Sequence, residues 1–127
     1  MNLIVRAATV IDVKSPFHKQ TIDIHIENGL IKKIGTNLSN TDNIKEISLD
    51  NLHVSQGWFD SSVSLGEPGF EDRETIDNGL QVAAKSGFTG IALQPNSNPI
   101  IDNQSQIQFV KSKAANSATE LFPIGAL

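Results

Sequence analysis

Gly57-Trp58-Phe59-Asp60-Ser61-Ser62-Val63-Ser64-Leu65-Gly66-Glu67-Pro68-Gly69-Phe70 marks a change in the character of the chain. The residues before it are β-rich, and those after it bring in helical spacing. Phe59 to Leu65 reads as a strand. Successive side chains on a strand alternate between its faces, so Asp60, Ser62 and Ser64 are expected on one side. On composition alone, a Ser/Val run between Phe59 and Leu65 is an ordinary buried or half-buried strand. Glu67, beside Pro68 and Gly69, reads as shaping the loop that follows.

Upstream, Leu3 to Val13 is dominated by Ile, Val and Thr, and Thr21 to Glu27 alternates polar and apolar strictly, as a strand with one buried face does. Asn28-Gly29 is a type I′ hairpin signal leading into Leu30 to Gly35, so an antiparallel meander is predicted. Thr36 to Ile44, rich in Asn, Ser and Thr, reads as a loop, and Glu46 to Val54 as a further short strand. Downstream, Glu74 to Ser86 has apolar residues at 76, 80 and 83, a helical stripe closed by Gly87 at a C′ position. Glu71, Asp72, Arg73 and Glu74 read as its solvated N-terminal turn. Thr89 to Gln94 is a second strand. Asp102 is the expected N-cap of a second helix with Ile107, Val110, Ala114 and Ala118 on one face, and Glu120 to Leu127 is a third strand. Strand, helix, strand, helix, strand is the α/β pattern of a parallel sheet or barrel. Residues 1–54 therefore read as a β-rich domain and 55–127 as the start of an α/β domain.

Composition excludes several classes. The 127 residues suit one ordinary domain, and 39% hydrophobic with 19% charged residues is the balance of a soluble globular protein. A net charge of −4 without a basic cluster argues against nucleic acid or an anionic membrane as partner. Lys32, Lys33, Lys111 and Lys113 read as solvated faces. There is no cysteine, hence no disulfide and no thiolate metal site. The apolar run at Met1 to Val5 is too short for a secretory signal, and no stretch approaches the ~20 apolar residues of a membrane span. A cytoplasmic location is the expectation. His18, His25 and His53 all fall in the first domain; His25 lies on the polar face of its strand, where solvation is expected.

Two motifs carry a family resemblance. Asp60, Leu65, Glu67, Pro68, Gly69 and Phe70 match a signature in which an apolar pair is followed by Asp, any residue, His, any residue, His, Leu, Arg, Glu, Pro, Gly and Phe. Ala92-Leu93-Gln94-Pro95-Asn96-Ser97-Asn98-Pro99-Ile100-Ile101-Asp102 resembles a strand-end motif, Met-Pro-Asn-Thr-Asn-Pro followed by an apolar pair and Asp. Both belong to the dihydroorotase family of the amidohydrolase superfamily, with its hydantoinase and allantoinase relatives. The resemblance covers the whole chain but about the first third of a usual member. It implies a small β-rich domain followed by the first β-α-β-α-β units of a (β/α)8 barrel. Such a barrel needs roughly 250 residues, so a fragment of a longer protein is expected, completed by the rest of its own barrel or by another protomer.

The resemblance also implies zinc, and here the chain departs from it. The two histidine positions are Ser62 and Ser64, and the arginine position is Gly66. A neutral hydroxyl is a poor zinc ligand, and a catalytic zinc needs three or more protein ligands with an open position for water. Losing an outer-shell partner alone costs about 10 to 100-fold, so losing two direct ligands costs more. Asn96 falls at the family's carboxylate-binding position; it also suits a turn between Pro95 and Pro99. Without the arginine fork, carboxylate binding weakens. No catalytic residue and no metal site are predicted within this chain.

Two functions follow from the resemblance. One is a pseudoenzyme of pyrimidine biosynthesis kept for a structural or regulatory role, in the manner of dihydroorotase-like chains that assemble with aspartate carbamoyltransferase, and homo-oligomeric. The other is an active cyclic amidohydrolase interconverting N-carbamoyl-aspartate and dihydroorotate, with an altered metal centre completed by later residues. A third reading is an unrelated α/β binding module.

Overall fold

Asn28 and Gly29, with φ of 54° and 80°, occupy the left-handed region that a type I′ turn demands, and the hairpin they close organises the first half of the chain. The computed structural model describes residues 1–127, which divide into two compact units, Met1–Gln56 and Gly57–Leu127. In the first, β1 (Leu3–Val10), β2 (Thr21–Glu27) and β3 (Leu30–Gly35) pair antiparallel, as the alternation predicts. The expected strand Glu46 to Val54 is instead two short pieces, β4 (Lys45–Ile47) and β5 (His53–Val54), and both pair with β1 in parallel. Between them Asn51 turns the chain at φ 55°, which a continuous strand cannot absorb. The meander is thus three strands, with the last two returning along β1.

β1 contains a bulge that no glycine announces. Val5 pairs with Ile24 and Ala8 with Ile22, so two residues, Arg6 and Ala7, face the single Asp23, and Ala7 lies at φ 48°. Its N–H, lost to the ladder, donates to Asp23 Oδ1 at 2.9 Å. Asp23 is buried, and its other oxygen accepts from the Leu38 N–H at 3.0 Å and from Arg6 Nη1 at 2.8 Å. Arg6 also grips Glu46 of β4 through two hydrogen bonds and donates to the Leu38 carbonyl at 2.6 Å. One ion network therefore ties β1, β2, β4 and the 36–44 loop. Burial pushes the Asp23 carboxyl up, but the Ala7 N–H, Arg6 and the Leu38 N–H together outweigh it and hold it below the usual carboxylate range. Arg6 and then Asn40 lower Glu46 likewise.

In the second unit, β6 (Trp58–Val63), β7 (Phe88–Leu93) and β8 (Glu120–Pro123) form a parallel sheet in that order, connected by α1 (Ile76–Lys85) and α2 (Gln104–Ala114). The helical stripe and Gly87, at φ 89°, fall where the spacing predicts. Ile76 and Leu80 of α1 and Val110 of α2 pack on Ile91, Leu93 and Leu121 of the sheet with Leu65 and Ile101, so both helices cover one face. Each such buried side chain contributes about 1.5–3 kcal/mol. Several boundaries differ from expectation; β6 and β7 run Trp58–Val63 and Phe88–Leu93, where Phe59–Leu65 and Thr89–Gln94 are expected. α1 begins at Ile76, capped by Thr75, whose Oγ1 accepts from the Asn78 N–H at 3.2 Å; the charged run 71–74 stays in the loop before it. Asn103, not Asp102, caps α2. Ala118 lies beyond the end of α2 and is exposed. β8 stops at Pro123, its last residue paired with β7, which has no N–H to give the ladder.

Asp23→Ala is expected to cost about 2–3 kcal/mol in urea unfolding, since it strands two backbone N–H groups. Because Asp23 and Glu46 titrate lower in the folded chain than unfolded, their contribution is whole above about pH 4 and lost as pH falls through their folded values. The variant should therefore lose less stability on acidification than the parent; an equal loss would rule the network out as the acid-sensitive element.

Candidate functional site

Parallel α/β sheets present their chemistry at the carboxyl ends of the strands. In the second unit those ends carry Ser62 near the end of β6 with Ser64 and Gly66 after it, and Gln94 and Asn96 after β7. How they face is set by a second bulge. Asp60 pairs with Ile91 and Val63 with Leu93, so β6 carries one residue more than β7 between these points. Strict alternation would put Asp60 beside Ser62 and Ser64. The extra residue shifts the phase, and Asp60 sits instead on the helix side, lining a hollow of about 230 Å³ with Val63, Gly79, Val82 and Ala83. Its Oδ1 accepts the Ser62 N–H at 2.9 Å, a donor beside the bulge. The expectation that Asp60 shares a face with the two serines is thereby corrected.

Val63 packs toward the helices, so Ser62 and Ser64 point to the opposite face. That face also holds Phe59 and Phe122, whose rings meet edge to face at 5.7 Å over Gly90. A Cβ on Gly90 would come within 2.9 Å of the Phe59 ring, which accounts for a glycine in mid-strand. Gln94 Nε2 donates to the Ser62 Oγ at 3.3 Å, and Asn96 Nδ2 donates to the Ser64 Oγ at 2.7 Å. The first and second strand-end motifs are thus joined by two cross-strand hydroxyl–amide bonds. Ser64 lies just past the end of β6, and Ser62, Ser64 and Asn96 are all exposed. Asn96 is brought to Ser64.

The residues do not suit zinc. The two hydroxyls are neutral and already accept amide protons, the Asp60 carboxylate is turned to the other side of the sheet, and nowhere do three His, Cys, Asp or Glu side chains converge. His25 lies on β2, paired with Ile4 and Lys33, and His53 on β5, paired with Thr9, while the His18 Nδ1 accepts the Asp12 N–H at 3.2 Å. These three histidines serve the first unit.

The loop after β6 is closed by backbone. Gly66 and Glu67 N–H groups both donate to the Glu74 carbonyl, at 3.0 and 3.1 Å, and the Phe70 N–H donates to the Gly66 carbonyl at 2.9 Å. A Cβ at Gly66 would lie 1.9 Å from the Phe70 carbonyl oxygen. Glu67 is buried and braces the helices: it accepts the Ile76 N–H at 2.9 Å, at the start of α1, and Lys113 Nζ of α2 at 2.7 Å. Burial pushes its carboxyl up, yet the Lys113 hydrogen bond and the Ile76 N–H prevail and hold it below the usual range. Lys113, read from sequence as solvated, is a partner, and its amine is correspondingly raised. Lys32 likewise pairs with Glu27 at 3.1 Å.

Gly66→Ala forces Phe70 to Glu74 to move, so it should lower the thermal midpoint well beyond the usual surface substitution, whereas Asp72→Ala, at an exposed position of the same loop, should shift it little. Equal midpoints for Gly66→Ala and the parent would contradict the closed loop.

The family model described as dihydro-orotase-like (DHOase) matches residues 53–126. The dihydroorotase of Ruminiclostridium cellulolyticum is 36% identical over 128 residues, taking in all of this chain and 29% of that protein. That of Thermoanaerobacter sp. is 39% identical over 128 residues with the same coverage, 100% and 29%. The chain thus spans under a third of the length of these curated relatives. Among solved structures, the L-hydantoinase of Arthrobacter aurescens superposes with a TM-score of 0.82 at 18% identity, over 98% of this chain and 27% of that one. The D-hydantoinase of Thermus sp. gives 0.74 at 25% identity with the same coverage, 98% and 27%. These likenesses fix the fold as an amidohydrolase small β-rich part followed by the first β-α-β-α-β units. The chain belongs to the dihydro-orotase-like family.

Proposed function

We propose that this chain is part of a dihydroorotase-like protein of pyrimidine biosynthesis that no longer catalyses and serves a structural or regulatory role. The observation that carries the proposal is the occupation of the first-strand ligand positions by Ser62 and Ser64, whose hydroxyls are engaged by Gln94 and Asn96. A metal-bound water of lowered pKa is the nucleophile that amide hydrolysis of this kind relies on, and zinc supplies it only when three or more protein ligands hold the ion. Gly66 compounds the loss. The family's arginine would give a carboxylate a charged bidentate fork, whereas Asn96 offers neutral hydrogen bonds. Three replacements act on metal and substrate grip together, and fold alone does not restore activity.

A second reading has a specific observation behind it. Asn96 and the run Glu67-Pro68-Gly69-Phe70 are kept, and the two curated relatives described above are dihydroorotases. Under that reading an altered metal centre, completed by residues outside this chain, still interconverts N-carbamoyl-aspartate and dihydroorotate. Under the first, the protein works through assembly, with aspartate carbamoyltransferase as the proposed partner or with further copies of itself.

Purified full-length protein should interconvert dihydroorotate and N-carbamoyl-aspartate at least about 100-fold more slowly than a zinc-loaded dihydroorotase assayed alongside it. It should also coelute with aspartate carbamoyltransferase of the same source in size-exclusion chromatography. Turnover comparable to that of the zinc enzyme would establish the second reading and dismiss the first.

A further inference from the structure

The tripeptide Asn-Gly-Leu occurs twice, each time after an acidic residue: Glu27-Asn28-Gly29-Leu30 and Asp77-Asn78-Gly79-Leu80. An asparagine followed by glycine can react with its own backbone, because glycine has no Cβ to keep its nitrogen from the asparagine carboxamide. The immediate sequence is nearly the same at both places, so the fold decides which pair reacts. Ring closure must turn the Asn–Gly peptide out of its place, and the cost depends on what holds it. Asn78 and Gly79 lie in α1. The Gly79 N–H donates to the Thr75 carbonyl at 3.0 Å, and the Asn78 carboxamide donates to Glu74 Oε1 at 2.9 Å. The flanking Ile76 and Leu80 are in the core, so opening this turn of helix also exposes apolar surface. Asn28 and Gly29 form the exposed tip of the β2–β3 hairpin, Leu30 beside them is 73% exposed, and no hydrogen bond holds the Asn28 carboxamide. The amino-terminal residues restrain the pair: the Asn28 N–H donates to Asn2 Oδ1 at 2.8 Å and the Gly29 N–H to the Met1 carbonyl at 3.1 Å.

We propose that Asn28 is a modification site, losing ammonia to become aspartate and isoaspartate, and that Met1 and Asn2 set its rate. The Gly29 nitrogen, its proton given up to solvent, attacks the Asn28 Cγ. The new N–Cγ bond closes a succinimide ring, the Cγ–Nδ2 bond breaks, and Nδ2 leaves as ammonia with a proton from solvent. Water then opens the ring. Cleavage at Cγ gives aspartate, and cleavage at the main-chain carbonyl gives isoaspartate, in which the backbone runs through the side chain. No oxidant or further reactant is needed. The reacting nitrogen is the one whose proton the Met1 carbonyl holds, so the turn must first slip from Met1 and Asn2. Both products place a new carboxylate beside Glu27, whose own is paired with Lys32 at 3.1 Å. Isoaspartate also lengthens the turn that sets the β2–β3 register.

The test incubates the full natural protein in mildly alkaline buffer, native and in urea. Mass spectrometry follows the two asparagine–glycine peptides, with enzymatic methylation of isoaspartate as a second readout. Asn28 should convert at least about tenfold faster than Asn78 in the native protein, and the two should convert at similar rates in urea, where the fold no longer separates them. Asn2→Ala should speed conversion at Asn28 by about fivefold, the population change that one hydrogen bond is worth, and leave Asn78 unmoved. Asn28→Gly, which suits the same turn, should abolish the isoaspartate signal and so tie it to this position. Conversion of Asn78 as fast as Asn28 in the native protein would overturn the site, as would an Asn28 that stays intact there while it converts in urea. An Asn28 rate that Asn2→Ala leaves unchanged, or raises only together with that of Asn78, would overturn the control by the amino-terminal residues.

Discussion

The single residue that β6 carries in excess between Asp60 and Val63 sets the facing of everything at that end of the sheet. With it, Val63 and Leu65 reach the helices and join the core formed by Ile76, Leu80, Ile91 and Val110, while Ser62 and Ser64 turn to the open face. Without it, Asp60 would keep company with the serines and an apolar residue would face solvent. The bulge needs its own satisfaction, and Asp60 gives it by accepting the Ser62 N–H. The carboxylate that could have served as a ligand is thereby spent on backbone.

A similar transfer from chemistry to structure recurs at Gly66 and Glu67. Position 66 admits no side chain while the 66–74 loop is closed on the Glu74 carbonyl. Glu67, next in line, is withdrawn from solvent to hold the first N–H of α1 and the amine of Lys113 on α2. Charge-assisted bonds to a buried carboxylate are among the stronger polar contacts, and breaking one partner leaves the other exposed to its desolvation cost. Glu67, which the signature shares with this chain, thus braces the loop and both helices.

Much of the fold is legible in the residues because its signals are local. Asn28-Gly29 dictates a turn by its own backbone preference, and the spacing of Ile76, Leu80 and Ala83 dictates a buried helical stripe. What sequence hides is pairing. The bulges at Ala7 and after Asp60 carry no glycine, and arise because a distant strand is one residue shorter in register. Asp102 and Asn103 are both good caps, and the choice falls to the second, whose Oδ1 meets the Gln106 N–H at 3.1 Å. Lys113 looks like any exposed helix lysine until Glu67 is placed beside it. The site is legible in its identities, Ser62, Ser64, Gly66 and Asn96, but Gln94 was not expected to matter. Its signal was available: a polar amide stands where the strand-end motif has methionine, opposite a serine that stands for histidine.

The central proposal is that the end of β6, where the family resemblance implies zinc ligands and Ser62 and Ser64 stand instead, holds no zinc. Calorimetric titration of zinc into chelator-stripped, full-length protein addresses it directly. The account predicts no saturable binding near one ion per chain, with the parent and Ser64→Ala traces alike. Tight one-to-one binding that Ser64→Ala weakens would contradict it.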